Sequence, residues 1–114
     1  MIIGQTLMAD EENNRDYFTR WFPRVADNAV FTFQRIHSTL SVNEDVDVFE
    51  KNVEDAGTGT NTSGFSSQLG STDLYEASGI NLKEMVRFRV QLKAGTGWIH
   101  FRFLAPTWYP TGKV

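Results

Sequence analysis

This 114-residue chain predicts an all-β domain, an antiparallel β-sandwich of about seven or eight strands with jelly-roll or immunoglobulin-like topology. Three observations carry that expectation. Aromatic residues make up 13% of the chain, nine of them Phe, a composition that suits strands better than helices. Two segments near the C-terminus, Met85 to Lys93 and Trp98 to Leu104, alternate apolar and polar residues with period two. Between the apolar runs lie clusters of Gly, Ser, Thr and Asn, and no segment carries an apolar stripe at helical spacing. The length suits one domain over residues 1–114, large enough to bury roughly two thirds of its unfolded surface.

Along the chain, Met1 to Met8 reads as a short first strand and Ala9 to Asp16 as a polar, acidic loop. Tyr17 to Val25 is rich in aromatics, but Pro23 confines it to a sheet edge, a strand end or a bend. Asp27-Asn28 is a turn signal. Ala29 to Thr39 (AVFTFQRIHST) is a strand with a flaw, because Phe31 and Phe33 share one face while Ile36 falls on the other. Either both faces are covered or a bulge near Gln34-Arg35 resets the phase. Val46 to Asn52 slips in the same way, with Val46 and Val48 set against Phe49.

The Gly/Ser/Thr-rich run from Ala56 to Ser71 is expected as a flexible loop, with a polar strand inside it as the alternative. Leu74-Tyr75 begins a short strand that a turn at Ser78-Gly79 would close. The strongest local expectation is a hairpin over residues 86–104 turning at Gly95-Thr96. That register sets Leu92 opposite Ile99, Val90 opposite Phe101 and Phe88 opposite Phe103. It also sets Arg89 opposite Arg102, Arg87 opposite Leu104, Gln91 opposite His100 and Lys93 opposite Trp98. Residues 105–114 (APTWYPTGKV) carry prolines on both sides of Trp108 and Tyr109, which argues for a stiff extended arm rather than a ladder strand.

Charge is polarised, although the net value is only −3. Six acids (Glu44, Asp45, Asp47, Glu50, Glu54 and Asp55) face a single base, Lys51, between Ser41 and Ala56. Five bases face one acid between Leu82 and Leu104. Two arginines directly across a hairpin repel one another and require neutralisation. The acidic segment of the same chain, the acidic segment of another copy, or an anionic ligand would each supply it. Nucleic acid is the weakest partner, because a net acidic protein with few basic residues on one face neutralises few phosphates.

Chemical motifs are sparse. With no cysteine in the chain, disulfides, thiol nucleophiles and Cys-ligated zinc are excluded. Gly57-Thr58-Gly59 and Gly95-Thr96-Gly97 lack nucleotide-binding spacing. Asn61-Thr62-Ser63 matches a glycosylation acceptor, a pattern that arises by chance. His37 and His100 are the only histidines, and their spacing does not favour a metal site. Asp45 and Asp47 suit a solvated strand face better than calcium. No serine lies in a nucleophile elbow. No catalytic residue, metal or cofactor is therefore expected. The N-terminus has neither the basic start nor the apolar run of a secretory signal, and no stretch is long enough to span a bilayer. Synthesis in a cytoplasm is expected, with a place in a virion as a later destination.

These features favour a non-enzymatic structural protein that self-associates or decorates a larger particle, such as a virion or phage head or tail. The expected interface residues are Arg87, Arg89, Arg102, Trp98, His100, Trp108 and Tyr109, with the six acids as a complementary surface. Two alternatives stand beside this. One is a carbohydrate-binding module using Trp98, Trp108, Tyr109 or Trp21 as a platform, and the other is an adaptor that binds one protein through the arginine face.

Overall fold

The computed structural model describes residues 7–10, 16–41, 44–65, 74–92 and 97–111. All regular structure among them is strand: β1 (Leu7–Asp10), β2 (Asp16–Phe18), β3 (Phe22–Pro23), β4 (Asn28–Ser38), β5 (Asp45–Lys51), β6 (Thr60–Phe65), β7 (Leu74–Gly79), β8 (Met85–Gln91) and β9 (Trp98–Tyr109). Two antiparallel sheets pack face to face. The first runs β1-β9-β4-β7, and the second runs β2-β8-β5-β6 with β3 also paired to β8.

The core is the meeting of the two inner faces. From the first sheet come Phe31, Phe33, Ile99, Phe101 and Phe103; from the second come Val46, Val48, Val86, Phe88 and Val90. All are essentially removed from solvent. Phe88 and Phe103 lie ring on ring, 4.1 Å between centroids and 12° between planes. Phe31 meets Phe88 edge to face at 5.7 Å. Such aromatic pairs add roughly 0.5–1.5 kcal/mol beyond the area they bury.

The hairpin expected over residues 86–104 is not formed. Strand β8 pairs with β2, β3 and β5, and Val90 stands opposite Val46 and Tyr17. Strand β9 pairs with β1 and β4, and Phe101 stands opposite Leu7 and Arg35. The connection between them crosses from one sheet to the other. Period-two alternation defines which face of a strand is buried, and stacking across a core satisfies it as fully as pairing within a sheet. Phe88 and Phe103 do meet, but through their rings rather than beside one another on a ladder. The turn at Gly95-Thr96 and the Lys93–Trp98 contact fall outside the described residues.

Gly97 marks where the chain enters the first sheet. Its φ of 103° is left-handed, and a Cβ there would lie 2.1 Å from the Thr39 carbonyl oxygen. Only glycine fits so close to a neighbouring backbone at that angle.

The phase faults on β4 and β5 have separate causes. On β4 the register shifts between Arg35 and His37, leaving Ile36 as the extra residue. On β5 the side chain of Phe49 turns outward, opposite Arg87, while Val46 and Val48 stay inward. Strand β9 does not end at Leu104. Residues 105–109, expected as part of an extended arm outside the ladder, continue it, with Thr107, Trp108 and Tyr109 opposite Val30, Ala29 and Asn28. The ladder between β4 and β9 is irregular beside Pro106, so the proline lies at a bulge. Residues 112–114 lie outside the described set. The run expected as a loop from residue 56 to 71 contains β6, anchored by the buried Phe65; its residues 66–71 are also outside.

Two substitutions test this arrangement. Phe88→Ala is expected to cost about 3–5 kcal/mol in urea unfolding, since the ring fills the centre of the core. Gly97→Ala is expected to cost more than about 2 kcal/mol, against a smaller loss for Gly57→Ala, whose added Cβ meets nothing within 4 Å.

Candidate interaction surface

Because β8 and β9 belong to different sheets, the arginines expected on one face are divided between two. Arg87 and Arg89 project from the outer face of the second sheet, and Arg102 projects from the outer face of the first. Arg89 therefore does not oppose Arg102, and a single Arg87/Arg89/Arg102 face does not exist.

On the second sheet the cations are layered with aromatic rings. The register places Asp47 opposite Arg89 and Phe49 opposite Arg87 on β5 and β8, with Phe18 of β2 opposite Arg89. The Arg89 guanidinium donates to Asp47 and lies 4.8 Å from the centre of the Phe49 ring. Phe18 meets Phe49 edge to face at 5.7 Å. The Arg87 guanidinium stands 3.9 Å from the Phe18 centroid and 4.4 Å from that of Trp21. The far side of this row is Lys51, 5.1 Å from the Trp21 ring. Each cation–ring contact contributes roughly 0.5–1 kcal/mol where solvent reaches it and more where it does not. Phe49, an apolar side chain on the outside of a sheet, is thereby buried.

The row is held from one end by the β5–β6 loop. Arg87 Nη2 donates to the Thr58 carbonyl at 3.1 Å, and Gly59 lies against the Trp21 ring. Burial lowers the Arg87 pKa from its ordinary value, since the charged form is the one that loses hydration. The Nε atoms of Arg87 and Arg89 are buried without a hydrogen-bond partner. Beside the loop opens a groove of about 420 Å³, walled by Glu50, Lys51, Asp55, Thr58 and Thr60 among others.

The six acids have unequal surroundings. Asp47 neutralises Arg89, and Glu50 Oε2 accepts from the Lys83 amide at 3.0 Å. Asp55 Oδ2 accepts from the Asn52 amide at 2.9 Å, closing a turn in which Glu54 is exposed. Asp45 stands opposite Gln91. Glu44 is not on a surface at all: it is 2% exposed, and its Oε1 accepts from both Nε and Nη2 of the fully buried Arg35. This ion pair was missed in the sequence, although Arg35 continues the inward series of Phe31 and Phe33. An inward arginine needs a carboxylate, and the phase fault beside it concealed its direction.

On the outer face of the first sheet, His37 stacks on Trp98 at 5.0 Å and stands opposite His100, while Arg102 Nε donates to Gln34 Oε1. Trp108 packs against the core, edge to face with Phe31 at 6.2 Å, and Tyr109 is 40% exposed. Among the described residues, no group of three or more His, Cys, Asp or Glu side chains is placed to hold a metal ion. No helix among them is long and apolar enough to cross a membrane.

The chain matches no protein-family model, no curated protein and no solved structure.

The buried pair yields a two-part expectation. Arg35→Met alone should destabilise the fold by about 3–5 kcal/mol, because it leaves the Glu44 carboxylate buried without its cation. Adding Glu44→Leu should recover most of that loss in chemical denaturation, since a well-packed apolar pair replaces the ions at little net cost.

Proposed function

We propose that this chain is a non-enzymatic structural module that associates with copies of itself or decorates a larger particle, such as a virion or phage head or tail. Counting β2 and β3 as one interrupted strand, the order β1-β9-β4-β7 over β2/β3-β8-β5-β6 is that of an eight-stranded jelly roll. That reading of the topology is part of the proposal. Jelly rolls host capsid proteins and lectins alike, so the architecture alone does not choose between them.

The observation that carries the choice is at one end of the molecule. The β3–β4, β5–β6 and β7–β8 loops there present Val25, Val53 and Ile80, which are 76%, 64% and 65% exposed. These loops are tied to one another. The Arg24 amide donates to the Glu84 carbonyl at 2.9 Å, the Leu82 amide to the Asp27 carbonyl at 2.8 Å, and the Val53 amide to Glu84 Oε1 at 2.9 Å. Aliphatic tips on mutually bonded loops lose little conformational entropy on docking and suit a protein partner. They offer a sugar neither a ring face nor a fan of polar groups.

The carbohydrate reading retains one favourable feature, the polar groove beside Trp21. Against it, the Trp21 ring already carries Arg87 and Lys51, Trp98 is stacked with His37, and Trp108 is packed on the core. A flat indole is what such a module would use.

Light scattering coupled to size-exclusion chromatography separates the readings. Mass is expected to rise with protein concentration, and Val25→Glu, Val53→Glu and Ile80→Glu together should abolish the rise without lowering Tm by more than a few degrees. A strict monomer at all concentrations and salts, with binding on a glycan array, would reverse the choice.

A further inference from the structure

The two histidines of the chain lie 63 positions apart and become direct cross-strand neighbours, His37 of β4 opposite His100 of β9. The bulge at Ile36 is what brings this about. Without it, the pairing of Arg35 with Phe101 would continue to Ile36 opposite His100 and His37 opposite Ile99. His37 would then point into the core. With the extra residue, His37 turns outward and is exposed, while Ile99 and Phe101 remain buried beneath. Bulges commonly re-aim a side chain in this way.

From this juxtaposition we propose that His37 and His100 form a two-imidazole chelate for a divalent transition ion such as Zn²⁺ or Ni²⁺. Directly opposed residues on one face of an antiparallel pair have Cβ atoms roughly 4.5–5.5 Å apart, a span that one metal bridges through ring nitrogens about 2 Å away on each side. The backbone is held beside the site: the Thr39 amide donates to the Trp98 carbonyl at 2.9 Å, and the Trp98 amide donates to Thr39 Oγ1 at 3.0 Å. The His37 ring stacks on Trp98, 5.0 Å away with 21° between planes, a contact made through the imidazole face rather than its ring nitrogens. Among the described residues, neither imidazole takes part in a hydrogen bond or ion pair.

Two protein ligands leave the other coordination positions to water. That makes the ion exchangeable rather than a structural centre on which folding depends. Arg102, two residues along β9 on the same face, places a positive charge near the ion, and its Nε is engaged by Gln34. The borderline imidazole donor set selects zinc, nickel or copper over magnesium and calcium.

Isothermal titration of tag-free protein with Zn²⁺ and then Ni²⁺ tests the site. One ion per chain is expected. His37→Gln and His100→Gln should each weaken binding by at least about 100-fold, since either change turns a chelate into a single imidazole. Mg²⁺ should give no response. In the unaltered protein, NMR should show the side-chain resonances of His37 and His100 shifting together as Zn²⁺ is added, a readout that does not depend on any variant folding. Binding that survives either substitution, a shift at only one histidine, or no response to millimolar Zn²⁺ would overturn the proposal.

Discussion

The stack of Phe88 on Phe103 is the contact around which the two sheets are arranged. It joins the strand at the middle of one sheet to a central strand of the other, and Phe31 and Phe33 on β4 pack around it. Once these rings occupy the centre, β8 and β9 have no room to lie side by side. Each must find its ladder partners elsewhere, β8 with β5 and the β2/β3 edge, β9 with β4 and β1. The long-range pairing of distant segments follows from that exclusion, as does the division of the arginines between opposite surfaces.

A second constraint acts where the chain passes from β4 to β5. Arg35 belongs to one sheet and Glu44 stands just before a strand of the other, so their ion pair links the sheets across the crossover. The Arg35 guanidinium also lies 5.6 Å from the centre of the Tyr75 ring on β7. A charge in this position tolerates little movement, because the desolvated carboxylate and guanidinium are stable only against one another. The neighbouring bulge at Ile36 lets β4 keep Arg35 inward and still turn His37 to the surface. One irregular residue thus serves both the buried pair and the exposed imidazoles.

The outer faces show how a net acidic chain accommodates a basic run. On the second sheet Arg87 and Arg89 are neutralised or stacked within the chain, so that face is a consolidated aromatic and cationic surface rather than a row of free charges. Among the described residues, the apolar side chains left most open to water lie elsewhere, on the loops carrying Val25, Val53 and Ile80. This separation places the proposed contact with other copies or a particle at the end of the molecule, away from the proposed metal site on the first sheet.

Much of this was legible in the residues. The alternation of Val86, Phe88 and Val90, and of Ile99, Phe101 and Phe103, identifies β8, β9 and their buried faces, because period two is a local property of an extended backbone. The phase faults at Ile36 and Phe49 likewise signal either a bulge or a strand covered on both faces, and the structure supplies the first at Ile36 and the second at Phe49. Partner choice is different. Alternation is blind to whether an inward ring meets its neighbour along a hydrogen-bonded ladder or across a core, so the sequence favoured the short connection and the structure takes the crossing. The Arg35–Glu44 pair, the opposition of His37 to His100 and the continuation of β9 through Pro106 all depend on which strand lies alongside which. Those pairings join residues far apart in the chain, and their energies are felt only once both sheets are assembled.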